Sequence, residues 1–288
     1  MKKKYFFLIG LLSLFALWQV TAKESPPQPM NLMPISIPDF EGEFAWIETM
    51  AREDGIATIV GIHGTPGSAN AWQKLMAEER IQNHFNFVAL DRPGWGQSQS
   101  LNKQVYPSFQ DQADVMMSAF EQMALKAPVV LVAHSWGGPV ALELAARFPN
   151  TIDGLILIAS PASPKASTPR WYHKIAKLKL VQLVIGESMT RSNTEMLTLD
   201  AELNLLADEL ALITQPTVIM QGKKDWLVKA ENAFYLQKKL TNAQVKLMYD
   251  LKANHFIPFT KPDEVVLAIT WVVEEIAKQN SLPTLEAD

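Results

Sequence analysis

Six short apolar runs constrain the fold of this chain more than any other feature of its sequence. Each run is six residues long, and most are followed by a segment with apolar residues at helical spacing. A run that is apolar at nearly every position predicts a strand buried on both faces, as in a parallel sheet covered by helices. Strands alternating with helices therefore predict an α/β fold with a mostly parallel sheet. The runs are 57–62, 86–91, 128–133, 154–159, 216–221 and 245–250.

Two further strands are predicted before these runs, and helices are predicted between them. The segments near 35–40 and 43–50 are expected to form an antiparallel pair at the start of the fold. In 108–124, apolar residues recur at helical spacing, so this segment is expected to pack one face on the sheet. Helices on both faces of the sheet would complete the architecture. The predicted helices are 108–124, 136–148, 230–240 and 262–278.

One interval, 161–214, breaks the alternation, because it contains two helical patterns and no strand pattern. The first pattern covers 170–185. The second begins at Ser192, where Ser192 and Glu195 match a capping box that would satisfy free backbone N–H groups at a helix start. We predict that this insertion is a small helical lid, with two ordinary surface helices as the alternative. The core of the domain is then 35–160 together with 215–288.

The first 22 residues predict a secretory signal peptide rather than a part of the fold. Three lysines, Lys2–Lys4, precede an apolar run, Tyr5–Trp18, which is shorter than the roughly 20 residues that cross a bilayer. Small residues lead up to Ala22, so cleavage is expected after it. We therefore expect a periplasmic or secreted protein in which the Pro-rich segment 23–34 is a linker. An uncleaved N-terminal anchor is the alternative, and it would be the protein's only membrane contact.

Charge and cysteine content exclude several classes of function. The formal net charge is −4 at pH 7, and no dense basic cluster is present, so the chain lacks the electrostatic signature of a nucleic-acid-binding protein. No cysteine is present, which excludes disulfide bonds, thiol catalysis and thiolate metal sites. The remaining composition, 48% hydrophobic and 19% charged, is that of a globular protein with a sizeable core.

A serine follows the third apolar run, in the sequence Ala133-His134-Ser135-Trp136-Gly137. A sharp turn between a strand and a helix would hold the Ser135 hydroxyl above the edge of the sheet, and small neighbours would let the backbone bend. This arrangement resembles the nucleophile elbow, G-x-S-x-G, of the α/β-hydrolase fold family. Ala133 departs from the motif, which has glycine at that position.

A second loop, 63–68 with the sequence HGTPGS, follows the first apolar run. It resembles the family loop that supplies one N–H group to the oxyanion hole, while the residue after the nucleophile supplies the other. The resemblance therefore implies an oxyanion hole formed by the backbone N–H groups of Thr65 and Trp136. Acyl transfer needs such donors because negative charge develops on the carbonyl oxygen during attack. We expect His63 to brace this loop rather than to transfer protons.

A third loop, 91–98 with the sequence DRPGWGQS, follows the second apolar run. It resembles the D-x-P-G-x-G-x-S loop found in many members of the family, where the aspartate and glycines shape a turn near the active site. We therefore expect Asp91 and Arg92 to have structural roles, with a direct role in substrate binding as the alternative.

The resemblance also implies an acid and a base, in the chain order Ser, Asp, His. His255 follows the last predicted strand, where the family places its base, and no other histidine of the chain has this position. Asp225 lies just past the strand predicted at 216–221, and it would hold the His255 tautomer and stabilise the imidazolium. Asp250 is the alternative acid.

Together these motifs imply a serine hydrolase of the α/β-hydrolase fold with the catalytic triad Ser135, Asp225 and His255. Acyl-serine chemistry uses no metal ion and no organic cofactor, and the expected substrate is a small-molecule ester. The same motifs occur in relatives that cleave amides, lactones or carbon–carbon bonds, and they also resemble those of proline iminopeptidases. A non-catalytic binding protein is the third hypothesis, although no member of the triad is missing.

Overall fold

The computed structural model describes residues 30–49 and 52–281. The predicted signal peptide and the first part of the predicted linker lie outside these residues. Within them, one eight-stranded sheet has the order β1-β2-β4-β3-β5-β6-β7-β8. The strands are β1 (Asn31–Ile37), β2 (Phe40–Glu48), β3 (Thr58–Ile62), β4 (Asn86–Leu90), β5 (Val129–His134), β6 (Gly154–Ile158), β7 (Thr217–Gly222) and β8 (Val245–Asp250).

The sheet is parallel from β4 to β8, whereas β1 and β2 are antiparallel at one edge. The six apolar runs are confirmed as the parallel strands, to within one residue at either end. The central strands β3, β5 and β6 are buried along their whole length. Burial on both faces explains why these strands are apolar at consecutive rather than alternate positions.

Helices and short helical turns connect the strands, and the four helices predicted outside the insertion are confirmed. None of the helices in the described residues is both long enough and apolar enough to span a membrane. The α-helices are α1 (Gln73–Met76), α2 (Glu79–His84), α3 (Phe109–Met123), α4 (Gly137–Arg147), α5 (Trp171–Ile175), α6 (Lys179–Leu206), α7 (Glu231–Lys239), α8 (Ile257–Thr260) and α9 (Pro262–Ser281).

Two apolar clusters lie on opposite faces of the sheet. One joins the strands to α3, α4, α7 and the C-terminal part of α6. The other joins them to α1, α2, α8 and α9. The sheet is therefore covered by helices on both sides, as the sequence predicted, and its C-terminal edge is left for loops.

Two local predictions were wrong. Asn31–Pro34 belong to β1 and not to the linker predicted over 23–34. Because β1 is an edge strand bonded only to β2, it tolerates the missing N–H group of Pro34. The capping box at Ser192 does not start a helix either, because Ser192 lies inside α6 and both it and Glu195 are buried.

The insertion between β6 and β7 contains α5 and α6 and no strand. Helix α6 is interrupted at Gly186, whose backbone has φ 77° and ψ 175°. This conformation is open almost only to glycine. The interruption divides α6 into a short N-terminal part and a longer C-terminal part that packs on the body of the protein.

Candidate active site

Ser135 occupies the sharp turn between β5 and α4. Its φ of 53° lies in the left-handed region, which is uncommon for a residue with a side chain and often marks a functional site. The turn is fixed by the Ser135 N–H group, which donates to the carbonyl of Ile158 (2.9 Å), and by the Ser135 carbonyl, which accepts from Gly138 N (2.9 Å). Ser135 is only partly buried, whereas the residues on either side of it are buried.

Close backbone contacts explain the small residues around Ser135. A Cβ atom on Gly137 would lie 2.5 Å from the Ile62 carbonyl oxygen, and one on Gly64 would lie 2.9 Å from Ser135 Cβ. The loop after β3 and the turn after β5 thus approach each other more closely than side chains would allow. Ala133, which departs from the family motif, is fully buried in the core, so its methyl group is accommodated by packing.

Asp225 and His255 form a buried hydrogen-bonded pair at the ends of β7 and β8. His255 Nδ1 and Asp225 Oδ2 are 2.8 Å apart, and the side chains are 7% and 0% exposed. The other carboxylate oxygen of Asp225 accepts hydrogen bonds from the N–H groups of Leu227 and Val228 (2.9 Å each). A carboxylate fixed in this way holds the proton on Nδ1 and leaves His255 Nε2 free to accept one.

Asp250, the alternative acid, lies elsewhere. Its carboxylate forms an ion pair with Lys261 and accepts a hydrogen bond from Lys252 N (2.7 Å). These contacts hold the pKa of Asp250 below its usual value. Among the described residues, only Asp225 pairs its carboxylate with His255.

His134 holds the His255 loop close to Ser135, which the sequence did not reveal. His134 Nε2 lies 2.9 Å from the His255 carbonyl oxygen, and the two imidazole rings are 4.8 Å apart. Burial, with a smaller contribution from the neighbouring His255, lowers the pKa of His134 to about 3. His134 is therefore neutral at pH 7, with its proton on Nε2, where it donates to the carbonyl.

Ser135 and His255 are not joined by a hydrogen bond, although His134, the residue before Ser135, packs its ring against that of His255 (4.8 Å). Within the described residues, no hydrogen bond involves the Ser135 hydroxyl. Catalytic hydrogen bonds are often long or misaligned before substrate binds. The hydroxyl of Ser135 is therefore without a protein partner in the described residues, as expected for a nucleophile that meets its base in the substrate complex.

The two N–H groups expected to form an oxyanion hole are free of acceptors. In the part of the chain that the structure describes, neither Thr65 N nor Trp136 N donates a hydrogen bond to a protein atom. The Thr65 hydroxyl is also buried without a partner. Trp136 N lies at the start of α4, where N–H groups have no partner within the helix, and Thr65 is only partly buried. Both N–H groups are therefore available to donate to a substrate oxygen.

His63 braces the first of these loops, as its position in the sequence predicted. The N–H group of Arg92 donates to His63 Nε2 (3.0 Å), so the ring proton lies on Nδ1 and is donated to the Gly64 carbonyl (2.7 Å). Burial, together with the nearby Arg92 guanidinium, lowers the pKa of His63 well below its ordinary value. The ring is therefore a neutral structural link and not a proton carrier.

Asp91 and Arg92 are both buried, in agreement with the structural roles expected for them. The Asp91 carboxylate accepts hydrogen bonds from Ala69 N (2.7 Å) and Gln97 N (2.8 Å). A Cβ atom at Gly96 would clash with this carboxylate at 1.9 Å. The aspartate and the glycine thus shape the turn together.

The most important contact that the sequence analysis missed joins Arg92 to Glu195 of α6. Both side chains are completely buried, and Arg92 Nη1 lies 2.8 Å from Glu195 Oε1. The remaining donors of Arg92 bind the carbonyls of His63 (2.9 Å) and Gly64 (3.1 Å), the side chain of Gln112 (2.8 Å) and the second oxygen of Glu195 (3.2 Å). Arg92 therefore links the loop 63–68 directly to the helical insertion.

Comparisons with known proteins place this chain among the α/β hydrolases. A sequence profile of the α/β hydrolase fold matches residues 57–182. The chain is 24% identical to YugF, an uncharacterized hydrolase of Bacillus subtilis strain 168, over 74% of this chain and 88% of that protein. It is 22% identical to the proline iminopeptidase PfmaB of Pestalotiopsis fici, over 73% of this chain and 89% of that protein.

A solved structure with the same fold is that of a thermophilic esterase from Thermogutta terrifontis. Its TM-score is 0.65 at 21% identity, over 86% of this chain and 99% of that chain. The profile match, the sheet order and this likeness together define the class of protein. The chain belongs to the α/β-hydrolase fold family, and it is a hydrolase.

Proposed function

We propose that this protein is a carboxylesterase that cleaves its substrate through an acyl-serine intermediate. The observation that carries the proposal is the buried pair of His255 Nδ1 and Asp225 Oδ2, 2.8 Å apart, beside a serine in a left-handed turn. A nucleophile, a base and a group that orients the base are the parts that this chemistry requires.

In the first half of the proposed reaction, Ser135 Oγ attacks the ester carbonyl carbon while His255 Nε2 accepts the hydroxyl proton. The carbonyl oxygen becomes an anion, and the free N–H groups of Thr65 and Trp136 donate hydrogen bonds to it. Asp225 stabilises the imidazolium through Nδ1. When the tetrahedral intermediate collapses, the C–O bond to the alcohol breaks, and His255 returns the proton to the departing oxygen.

In the second half, His255 removes a proton from water, and the resulting oxygen attacks the acyl-serine carbonyl. The same two N–H groups stabilise the second oxyanion. Collapse releases the carboxylic acid, and His255 returns its proton to Ser135 Oγ. Arg92 and His63 act only through the main chain of the oxyanion loop, because they are buried and fully hydrogen-bonded.

The triad is tested by changing each member and measuring p-nitrophenyl acetate hydrolysis. Ser135→Ala should lower kcat by roughly 10⁴-fold or more, since the nucleophile and base act as a unit. His255→Ala should lose nearly as much, and Asp225→Asn somewhat less. Ser188→Ala, which changes an exposed serine, and Asp250→Asn are the matched controls and should keep the parent rate. A fluorophosphonate probe should label the parent and not Ser135→Ala; persistent activity in purified Ser135→Ala would refute the proposal.

A proline iminopeptidase-like amidase is the second candidate, because one relative bears that name. Such enzymes recognise the substrate amine with acidic side chains of the cap, where Glu187, Glu195, Asp200 and Glu202 are the candidates. Glu195 and Glu187 are paired with Arg92 and Arg191, and Glu202 accepts a hydrogen bond from Phe109 N (3.1 Å), so among the described residues Asp200 alone of the four has neither an arginine partner nor a hydrogen bond to another element. These contacts favour the ester. A panel of p-nitrophenyl esters against prolyl and aminoacyl p-nitroanilides separates the candidates, and faster cleavage of the anilides would favour the amidase.

We further propose that the insertion acts as a lid that selects substrates. Arg170 Nη2 donates to the carbonyls of Trp226 (2.9 Å) and Leu227 (3.3 Å), directly after Asp225. The start of the insertion therefore rests beside the acid. Trp171→Ala should change kcat/KM for octanoate esters more than for acetate esters at unchanged Tm. A uniform loss that tracks stability would support ordinary surface helices instead.

Export is also proposed, on the basis of Lys2–Lys4, the apolar run after them and the small residues before Ala22. In a Gram-negative host, N-terminal sequencing of the periplasmic protein should begin near Lys23. Recovery of the full-length chain from the membrane fraction would contradict cleavage and favour the uncleaved anchor.

A further inference from the structure

The first part of the insertion carries large apolar side chains that face the solvent. Leu180, Leu183 and Val184 are 79%, 82% and 82% exposed, and their spacing of i, i+3 and i+4 places them on one face of α6. Trp171 and Ile175 on α5, and Leu178 in the turn that joins α5 to α6, are exposed as well. We call these six residues the outer apolar face.

Cationic residues are interspersed in sequence with those of the outer apolar face. Between Pro164 and Gly186 the chain contains five basic residues and no acidic one, in a protein whose net charge is −4. Within the described residues, none of these five basic residues forms an ion pair. The four lysines among them are exposed. The five are Lys165, Arg170, Lys174, Lys177 and Lys179.

This combination matches the physical requirements of a membrane surface. Exposed leucines and a tryptophan on successive short helical segments, with lysines close to them in the sequence, are typical of regions that lie in the interface of an anionic bilayer. The lysine stems cover apolar surface while their ammonium groups reach the lipid phosphates. Elsewhere the acidic protein is repelled by such a surface, so its charge would orient it with this face toward the lipid.

Other occupants fit less well. In a two-fold dimer built on this face, the five cations of one copy would meet the same five of the other, at a cost from like-charge repulsion. The N-terminal apolar run, Tyr5–Trp18, is directly preceded by Lys2–Lys4, so it would also bring positive charge to a positive surface. Both occupants therefore lack the charge complementarity that an anionic lipid surface has.

The outer apolar face also adjoins the candidate active site. Trp226 and Leu227 are exposed directly after Asp225, and Arg170 bonds to their carbonyls. We propose that the outer apolar face docks this protein on an anionic phospholipid surface, with the opening of the active site next to the bilayer. The docking itself depends on no catalytic residue, so it goes beyond the proposed ester hydrolysis.

The test uses the absence of cysteine from the chain, which allows one fluorophore to be placed at one chosen site. The full-length protein carries Leu183→Cys labelled with an environment-sensitive dye, and Leu205→Cys, at an exposed leucine on the second part of α6, is the matched control. We expect the emission at position 183 to shift to the blue with phosphatidylcholine–phosphatidylglycerol vesicles and much less with phosphatidylcholine alone. The label at position 205 should not shift with either.

A charge variant sharpens the test. Lys174→Gln, Lys177→Gln and Lys179→Gln, combined in the Leu183→Cys background, should weaken partitioning into anionic vesicles by about 100-fold, because each lysine near the surface contributes roughly fivefold. High salt should weaken binding of the parent in the same direction. Circular dichroism of the variant checks that the fold is kept.

Three results would overturn the proposal. The first is the absence of an emission shift at position 183 when anionic vesicles are added. This result counts against the proposal even if the protein sediments with the vesicles, because another segment would then be the one that binds them. A shift without vesicles that grows with protein concentration would assign the face to a second copy. A blue emission without vesicles at every concentration would assign it to another segment of the chain. Esterase activity enters none of these readouts.

Discussion

The helical insertion contains two segments that look similar in sequence and behave differently in the structure. Segment 171–185 turns its leucines and its tryptophan outward, whereas segment 187–206 buries Leu199, Leu203 and Leu206 against the body. Glu195 of the second segment is completely buried with Arg92. The comparison teaches that helical spacing shows which residues share a face, but not what lies opposite that face.

Removing the charge of Glu195 is expected to have the largest effect, because it attacks the contact that fixes the second segment. Glu195→Gln would leave the Arg92 guanidinium buried without a counter-ion, which typically costs about 3–5 kcal/mol. The control is Glu187→Gln, which breaks the ion pair of an exposed glutamate with Arg191 and should cost less than about 1 kcal/mol. Urea unfolding measures both. Similar losses in the two variants would show that the buried pair does not anchor the segment.

Truncating one leucine in each segment should give the next largest difference in stability between the two segments. Leu203→Ala removes a side chain with no exposed surface and should destabilise the fold by about 2–5 kcal/mol. Leu183→Ala, in the first segment, should change the free energy of unfolding by less than about 0.5 kcal/mol. The same unfolding assay applies. Destabilisation by Leu183→Ala that matched Leu203→Ala would mean that the first segment is packed in solution.

Gly186 separates the segments, and its replacement should have an intermediate effect. The backbone there has φ 77° and ψ 175°, a conformation that costs a residue with a side chain about 1–3 kcal/mol. A Cβ atom would meet nothing within 4 Å, so the loss in Gly186→Ala comes from the backbone alone. Ser188→Ala, two residues further on, should be neutral in thermal unfolding. If both variants were neutral, the two parts of α6 would be able to join into one continuous helix.

A smaller, pH-dependent effect is expected at the contact between the segments. His173 Nδ1 donates to Asn193 Oδ1 (2.9 Å), and Asn193 Nδ2 donates to the His173 carbonyl (3.1 Å). Burial lowers the pKa of His173, against the opposing effect of the bond to Asn193. The His173 ring resists protonation while segment 171–178 is packed against Asn193. When this segment separates from the body, the ring is exposed to water and takes up a proton more readily. The docking energy is therefore complete above the ordinary pKa of 6.5 and is lost as the pH falls below it.

Hydrogen exchange measures this effect. Protection of segment 171–178, corrected for intrinsic rates, should fall by less than about tenfold per pH unit below pH 6.5 or so. His173→Gln should remove the pH dependence while leaving the rest of the exchange pattern unchanged. A variant that kept the same pH dependence would assign it to another group.

The fold could be predicted well from the sequence because its strands are encoded locally. A strand buried on both faces needs apolar residues throughout, so β3 to β7 are visible as runs without any knowledge of their partners. The predicted start of β1, near residue 35, lies four residues after the observed start at Asn31, because Pro34 and the polar residues before it resemble a linker. Only the position of β1 at the edge of the sheet, which is a property of the whole fold, makes that proline acceptable.

The candidate site could be predicted in part, and the division has a physical cause. Ser135, Asp225 and His255 follow strands, and their roles in the family have a fixed chain order, so motif and order were enough to select them. Arg92 and Glu195 are 103 positions apart, and nothing in the local sequence of either indicates the other. Glu195 matches a capping pattern instead, because that pattern depends only on neighbouring residues and not on a guanidinium that is distant in the sequence. His134 was missed for the same reason, since its partner lies on the last loop of the core.

The link from Arg92 to Glu195 also limits how this insertion could be exchanged among relatives. A lid is often treated as a module that can be transplanted to change which substrates enter. Here a graft that replaced residues 161–214 without an acid at position 195 would leave the buried Arg92 cation without a counter-ion against the loop 63–68. The protein that receives the insertion and the protein that supplies it therefore have to be matched at positions 92 and 195. A compatible insertion can be recognised by an acidic residue at position 195 before any pocket residue is compared.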